Sequence, residues 1–284
     1  MAAPEFVAIG HVTLDRFGDV TRPGGAALFA ALTAHRLGLS AGILTSHAPD
    51  FPLDVIPPQI EVVTLEAPAT TVFEHRQHAG RRTLRLVSVA QPLNAADVPD
   101  DWRTADLVML APVAGEVDAG LVEPFAEATI AAEAQGWLRG VGADGAIVPR
   151  PWTPPHGLLE RLQAMFLSAE DIRGQEPAML EWLQRLPLAV VTAGSVGALL
   201  YVNGERYEIR PHPAQVVDAT GAGDVFAATF LVRYHFDGDP WDAAGAAACA
   251  ASLSLGAEGW AAVPDPAGLK AALARYRAWS DPSP

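Results

Sequence analysis

One cysteine, Cys249, is all that 284 residues contain. That excludes a disulfide framework and a cysteine-based zinc cluster, and its Ala-rich setting reads as a small buried hydrophobe. Positive charge is also short: 19 Lys and Arg stand against 33 Asp and Glu, a formal charge of −14. Such a surface repels phosphate backbones and anionic lipid, which excludes nucleic acid and membrane surfaces as partners. No apolar run reaches the roughly 18 residues needed to span a bilayer. The first residues, MAAPEFVAIG, lack the basic and long apolar regions of an export signal. A cytoplasmic protein is expected. The eight histidines show no H-E-x-x-H or other metal spacing. There is no P-loop lysine motif, so phosphate recognition must come from backbone amides. No internal repeat or linker breaks the chain.

What is there is apolar and rhythmic. Hydrophobic residues make up 50% of the sequence, enough for one large core in a chain that buries about three quarters of its unfolded surface. One domain over 1–284 is the expectation. Short apolar runs alternate with amphipathic segments: strand 6–10, helix 24–38 closed by Gly38, strand 41–46, strand 106–111, an Ala/Glu-rich helix near 119–134, strand 164–168, helix 177–186 and strand 188–194. This alternation predicts an α/β fold, a doubly wound and mostly parallel sheet flanked by helices. Leu28, Ala31 and Leu32 form the core stripe of the first helix. Two segments depart from the rhythm. TTVFEHRQHAGRRTLRLVSVA (70–90) predicts a protruding hairpin around Ala79-Gly80, with Arg81, Arg82 and Arg85 either on a solvated face or in contact with an anionic ligand. GALLYVNGERYEI (197–209) places Asn203-Gly204 between two β-rich runs, a strong hairpin signal.

The stretch DATGAGDVFAATFL (218–231) carries the chemistry. AQVVD (214–218) reads as a strand end and 225–236 as a buried helix whose first turn begins at the glycines. The amides of Gly221, Ala222 and Gly223 are then unpaired helix N-terminal donors that attract an anion, and glycine lets a phosphate approach the backbone. Asp224 is itself an anion at that spot. A carboxylate beside an anion hole makes chemical sense when it takes the proton of a hydroxyl attacking a phosphorus held by those amides. The plainer reading is a strand-to-helix turn in which Asp224 stabilises the helix dipole by about 0.3–1 kcal/mol.

DATGAGDVFAATFL resembles the DTxGAGD signature of the ribokinase-like (PfkB) carbohydrate kinases, with Ala219 as a variation inside it. The resemblance continues in order along the chain. GGAALFAALTAHRLG resembles the family's N-terminal diglycine motif, which lies against the substrate through Gly24 and Gly25. Asp15 falls where the family keeps an aspartate for substrate hydroxyls. VTAGSVGALL is similar to the segment that lines the nucleotide phosphates through Thr192, Gly194 and Gly197. The resemblance implies a ribokinase-like fold with a small β-sheet lid from about 11–22 and 66–90. It implies Asp224 as general base, Gly221 to Gly223 as the anion hole, and Thr220 at the nucleotide. It also implies ATP and Mg²⁺, with a monovalent cation such as K⁺ at Asp218 and the Thr220 carbonyl in many members.

Some positions differ from the family pattern. Where many members carry Asn-x-x-Glu to place Mg²⁺ through water, this chain has Ser168-Ala169-Glu170-Asp171, so Asp171 or Glu170 is the candidate. Phe29 stands where ribokinase has asparagine, which argues against ribose. GGAALFAAL, RRTLRLV and EAQGWLRGV together resemble the myo-inositol kinase branch, and imply that Gln135 and Arg139 line the polyol or nucleotide pocket. Gly140 to Gly145 satisfies G-x-G-x-x-G, but the following AIVPRPWTPP cannot open a helix, so it reads as a glycine loop. His11 is either a substrate-facing or a strand-end residue. The sequence thus points to an ATP-dependent kinase acting on a hydroxyl of a small polyol or sugar, as monomer or homodimer. A nucleoside kinase of the same family and a non-catalytic nucleotide- or sugar-binding protein are the alternatives.

Overall fold

Apolar runs buried on both faces satisfy their amides only by pairing side by side, and they set the architecture here. The computed structural model describes residues 3–78 and 81–280. The chain runs β1 (Phe6–Ile9), β2 (Thr13–Phe17), β3 (Val20–Gly24), α1 (Ala26–Arg36), β4 (Ala41–His47), β5 (Glu61–Glu66), β6 (Thr71–His78), β7 (Arg81–Ser88) and β8 (Leu107–Leu110). It continues through β9 (Thr129–Glu133), α2 (Gln135–Leu138), β10 (Arg139–Val141), β11 (Ile147–Pro149), α3 (Leu158–Arg161), β12 (Ala164–Ser168), α4 (Glu176–Leu183) and β13 (Leu188–Thr192). The last elements are β14 (Ala198–Val202), β15 (Glu205–Ile209), α5 (Ala222–Asp237), α6 (Pro240–Ser254) and α7 (Pro266–Ser280).

Nine strands form the main sheet in the order β15-β14-β13-β12-β9-β8-β1-β4-β5. All pairings are parallel except those of β14 and β15 at one edge. One face is covered by α1, α5 and α6, whose Leu28, Ala31, Leu32, Phe230 and Leu231 are buried in one core. A second core on the other face gathers Val7, Ile9, Val108, Leu110, Trp137 and Trp182. From β1 the sheet grows through β4 on one side and β8 on the other. That reversal opens a crevice beyond the carboxyl ends of the strands, where doubly wound folds place ligands.

A second, four-stranded sheet has the order β3-β2-β6-β7, with β2 and β6 parallel and the other pairs antiparallel. It occupies the two chain segments expected to form a lid. The Ala79-Gly80 turn and the side chains of Arg81 and Arg82 lie outside the described residues. The β10–β11 hairpin joins the far edge of this sheet: Leu86 N–H donates to Gly145 O at 2.9 Å, and Arg85 bridges to Ala146. Its turn is the G-x-G-x-x-G stretch, closed by Gly142 N–H to Ala146 O at 2.8 Å. No helix follows it. Asn203 and Gly204 take φ of 49° and 82° and turn the β14–β15 hairpin.

Two expectations are corrected. The Ala/Glu-rich stretch near 119–134 is not a helix: residues 119–122 form a short 3₁₀ turn, and Thr129–Glu133 is strand β9, hydrogen-bonded between β8 and β12. Burial in mid-sheet outweighs the helix preference of Ala and Glu, which is only tenths of a kcal/mol per residue. Residues 214–218 are not a strand end either. They form an irregular connection in which Val216 and Val217 are exposed and Val217 N–H reaches Leu255 O at 2.7 Å.

Cys249 is fully buried on α6, and that burial pushes its thiol up to about 12. The thiolate is the reactive form, so thiol reagents at mildly alkaline pH are expected to leave the folded protein unlabelled. Labelling in a denaturant series should then track global unfolding; labelling of the native protein would contradict this packing.

Candidate active site

The glycine run lies where the chain enters α5, a 16-residue helix. Gly221 is the N-cap, at φ 77°, and Asp224 falls in the first turn. Val225 N–H makes the first firm bond of the helix, to Gly221 O at 2.9 Å, while Ala222 N–H reaches Ala219 O only at 3.5 Å. Among the described residues no carbonyl takes the amides of Gly221 and Gly223. Of the three donors expected to be open, those of Gly221 and Gly223 are, while that of Ala222 has a long bond to Ala219 O.

Asp224 lies beside them, in the crevice beyond the strand ends. Gln135, the first residue of α2, donates from Nε2 to Asp224 Oδ1 at 3.2 Å. Burial holds the Asp224 carboxyl above the usual carboxylate range; hydrogen bonds from Glu133 and Gln135 and the Arg139 charge oppose the rise, and the Asp15 charge adds to it. Arg139, at the start of β10, bonds through Nε to Asp171 Oδ1 at 3.1 Å. Asp171 Oδ2 also accepts from Ser168 Oγ at 3.0 Å. Gln135, Arg139, Asp171 and Asp224 are thus brought together by one guanidinium and one amide. Glu170 is exposed and stands apart from this group. The chain's single lysine, Lys270, is exposed on α7, so positive charge at the site comes from arginine.

On the lid side, Asp15 of β2 is buried and accepts from Thr13 Oγ1 at 3.2 Å, with His75 Nε2 at 3.5 Å. The diglycine explains how it fits. A Cβ at Gly24 would collide with the Asp15 carboxylate and meet Thr13 Oγ1 at 3.0 Å; Gly25, at φ 104°, would drive one into the His11 carbonyl. His11 is a strand-end residue. Its Nε2 lies 2.7 Å from the Gln91 carbonyl and so donates, leaving Nδ1 to accept from Thr71 Oγ1 at 2.7 Å. Both ring nitrogens are committed.

The remaining candidates lie along the neighbouring strand ends. Thr192 ends β13, with Oγ1 donating to Leu167 O at 3.2 Å. Gly194 and Gly197 form the tight turn after it, with Ala193 N–H to Gly197 O at 2.8 Å. Asp218 Oδ1 accepts from Thr220 N–H at 2.9 Å, while Oδ2 receives Gly259 N–H at 3.3 Å and Arg22 of the lid at 3.4 Å. The backbone bonds to Thr220 and Gly259 and the Arg22 charge outweigh its partial burial and hold the Asp218 carboxyl below its ordinary range. Arg22 also pairs with Glu258 at 2.7 Å, so one lid guanidinium spans two acids of the body.

Two buried acids escaped sequence reasoning. Glu116 accepts the amides of His11, Val113 and Ala114 at 2.7–3.1 Å and ties the ends of β1 and β8 together. Glu133, 4% exposed, ends β9 against Asp224. An acidic residue closing a central parallel strand is the signal that identifies it, and that signal requires β9 to be read as a strand.

Residues 162–266 match the family described as pfkB family carbohydrate kinase. Inositol 3-kinase of Zea mays is 35% identical over 158 residues, 54% of this chain and 40% of the maize protein. The matched stretch thus spans less than half of that relative. Cytidine kinase of Thermococcus kodakarensis is 27% identical over 251 residues, 81% of this chain and 88% of that protein. A pyrophosphate-dependent kinase in the ribokinase family, complexed with a pyrophosphate analog and myo-inositol, superposes with a TM-score of 0.76 at 23% identity, covering 89% of this chain and 96% of that one. Ribokinase of Arabidopsis thaliana complexed with ribose and ATP gives a TM-score of 0.73 at 20% identity, covering 95% and 99%. Fold and sequence agree: the chain has a ribokinase-like fold, and residues 162–266 within it match the pfkB carbohydrate kinase family.

Proposed function

We propose that this protein is a kinase that moves the γ-phosphoryl group of ATP to a hydroxyl of a small polyol or sugar, with a myo-inositol-like acceptor favoured. The observation that carries the reading is the placement of Asp224, a half-buried carboxylate beside the open amides of Gly221 and Gly223. The acceptor hydroxyl gives its proton to Asp224 as its oxygen bonds to phosphorus. The bond to the leaving ADP oxygen breaks, and the glycine amides receive the charge of the transferring group. Asp15, Gly24, Gly25, Gln135 and Arg139 hold the acceptor, and Thr192, Gly194, Gly197 and Thr220 line the donor. The four-stranded sheet closes over both and excludes water.

Magnesium fits as an ion carried in by the donor. Mg²⁺ keeps several waters and takes one or two carboxylates plus phosphate oxygens, and no cluster of three or more His, Cys, Asp or Glu ligands exists among the described residues. Asp171 is the residue that would hold it through water, with Glu170 behind; the ion supplies neutralisation of phosphate charge. For a monovalent cation at Asp218, the Arg22 guanidinium already brings positive charge to that carboxylate.

A nucleoside kinase is the second reading, favoured by the match across 88% of the archaeal cytidine kinase. One assay separates the readings: product release measured with myo-inositol, hexoses and cytidine, each with ATP and with pyrophosphate as donor. Turnover highest with myo-inositol and ATP is the expected outcome. Cytidine as the best acceptor would replace the polyol reading, and pyrophosphate as the better donor would replace ATP. No turnover with any pair would leave a binding protein.

A further inference from the structure

Glu133 is the one buried acid at the site that the proposed mechanism leaves without a task. It ends the central strand β9, is 4% exposed, and its carboxyl faces that of Asp224 within hydrogen-bonding reach. Two ionised carboxylates bring no proton to such a contact, and Glu133 Oε1 then has no hydrogen-bond partner at all. A buried polar atom is rarely left so, and a facing like charge in low dielectric is costly. One proton between the two groups removes both penalties.

The surrounding charges say where that proton stays. Arg139 from β10 faces both carboxyls, with part of its charge taken by Asp171; Asp15 from β2 adds a negative charge, itself beside His75 of β6. Asp224 already accepts a hydrogen bond from Gln135, which favours its ionised form, whereas Glu133 is the more deeply enclosed partner. We propose that Glu133 is a positioning residue: its protonated carboxyl donates a hydrogen bond to the Asp224 carboxylate, fixing the direction of the base and keeping it ionised for the acceptor hydroxyl. In the transfer step the hydroxyl proton moves to the free lone pair of Asp224 and the Glu133 proton stays in place, so the pair ends neutral with two protons. The inference rests on Asp224 acting as base. Burial and the Asp224 charge hold the Glu133 carboxyl well above its ordinary range.

The test compares Glu133→Gln, whose amide can still donate, with Glu133→Leu, which cannot. Glu133→Leu is expected to lower kcat by about ten- to a hundredfold, the worth of one hydrogen bond to a charged group. It should also move the acid limb of the kcat/KM profile to higher pH, because Asp224 loses a donor to its ionised form. Glu133→Gln should keep the acid limb near the wild-type position and lose much less rate. Stability gives a readout independent of turnover. Glu133 has a folded value above its unfolded one, so its contribution is full below the unfolded value and is lost as pH rises through the folded value. The melting temperature of the wild type should therefore fall relative to Glu133→Gln as pH is raised from mildly acid to alkaline. An unshifted acid limb in Glu133→Leu, or equal losses in both variants, overturns the inference, as does a melting difference that ignores pH. Asp224→Asn measured alongside separates the two levels: retained turnover there removes the base itself, whereas an inactive Asp224→Asn with unaffected Glu133 variants removes only the positioning role.

Discussion

Asp224→Asn is expected to lower kcat by about 10²–10⁴-fold, the contribution of a positioned general base, while donor and acceptor still bind. The substitution keeps the size of the side chain and can still engage Gln135, whose Nε2 lies 3.2 Å from Asp224 Oδ1. What it removes is the lone pair that takes the hydroxyl proton. It also removes a negative charge from a region already holding Asp15 and Asp171, so binding of an anionic donor should hold or tighten. Calorimetric titration with a non-hydrolysable ATP analogue checks the binding half, and steady-state rates check the other. A variant within about tenfold of wild type would show that no base is needed, as a largely dissociative phosphoryl transfer could allow, and would reduce Asp224 to a helix-dipole residue.

Much of this site was legible because its chemistry is written in consecutive residues. DATGAGDVF encodes a turn, open amides and a carboxylate with no help from distant segments, and the structure has α5 beginning at those glycines. The Asn203-Gly204 hairpin was equally local, since both residues supply the positive φ that the turn requires. What failed was context. Thr129–Glu133 reads as helix by composition, and only its place between β8 and β12 makes it a strand. That one error hid Glu133, because on a surface helix an acid is unremarkable, whereas at the end of a buried strand it faces the crevice. Val216-Val217 failed the other way: β-branched residues suggested a strand, yet both side chains are exposed with no sheet beside them. The pairing of Arg22 with Asp218 joins positions 196 apart in sequence, and no local pattern could announce it.

Gly221→Ala tests whether the anion hole is a built feature or an incidental turn. The residue sits at φ 77°, which costs an L-amino acid roughly 1–2 kcal/mol, and a Cβ there would collide with the ring of Phe29. Phe29 cannot easily retreat, being 2% exposed on α1 and edge-on to Trp260 at 6.2 Å between centroids. Overpacking of this kind adds about 1–3 kcal/mol, so a loss of about 2–5 kcal/mol in unfolding free energy is expected. Displacing the turn also misaims the amides, with an expected fall in kcat of about 10²–10³-fold, the cost of one lost oxyanion-type donor. Two companions divide the effect. Phe29→Leu in the Gly221→Ala background should return the packing part of the stability and leave the backbone part, giving a coupling of about 0.5–3 kcal/mol in a double-mutant cycle. Gly223→Ala has nothing within 4 Å of its Cβ and no positive φ; inside the helix it should gain about 0.5–1 kcal/mol. If Gly223→Ala is stabilised yet slower, the added methyl is meeting the transferring phosphoryl group, because no protein atom is there to meet it. If Gly221→Ala instead stays within about 0.5 kcal/mol of wild type, the range of a neutral surface change, the close contact with Phe29 does not constrain this turn, and the anion hole loses its structural support.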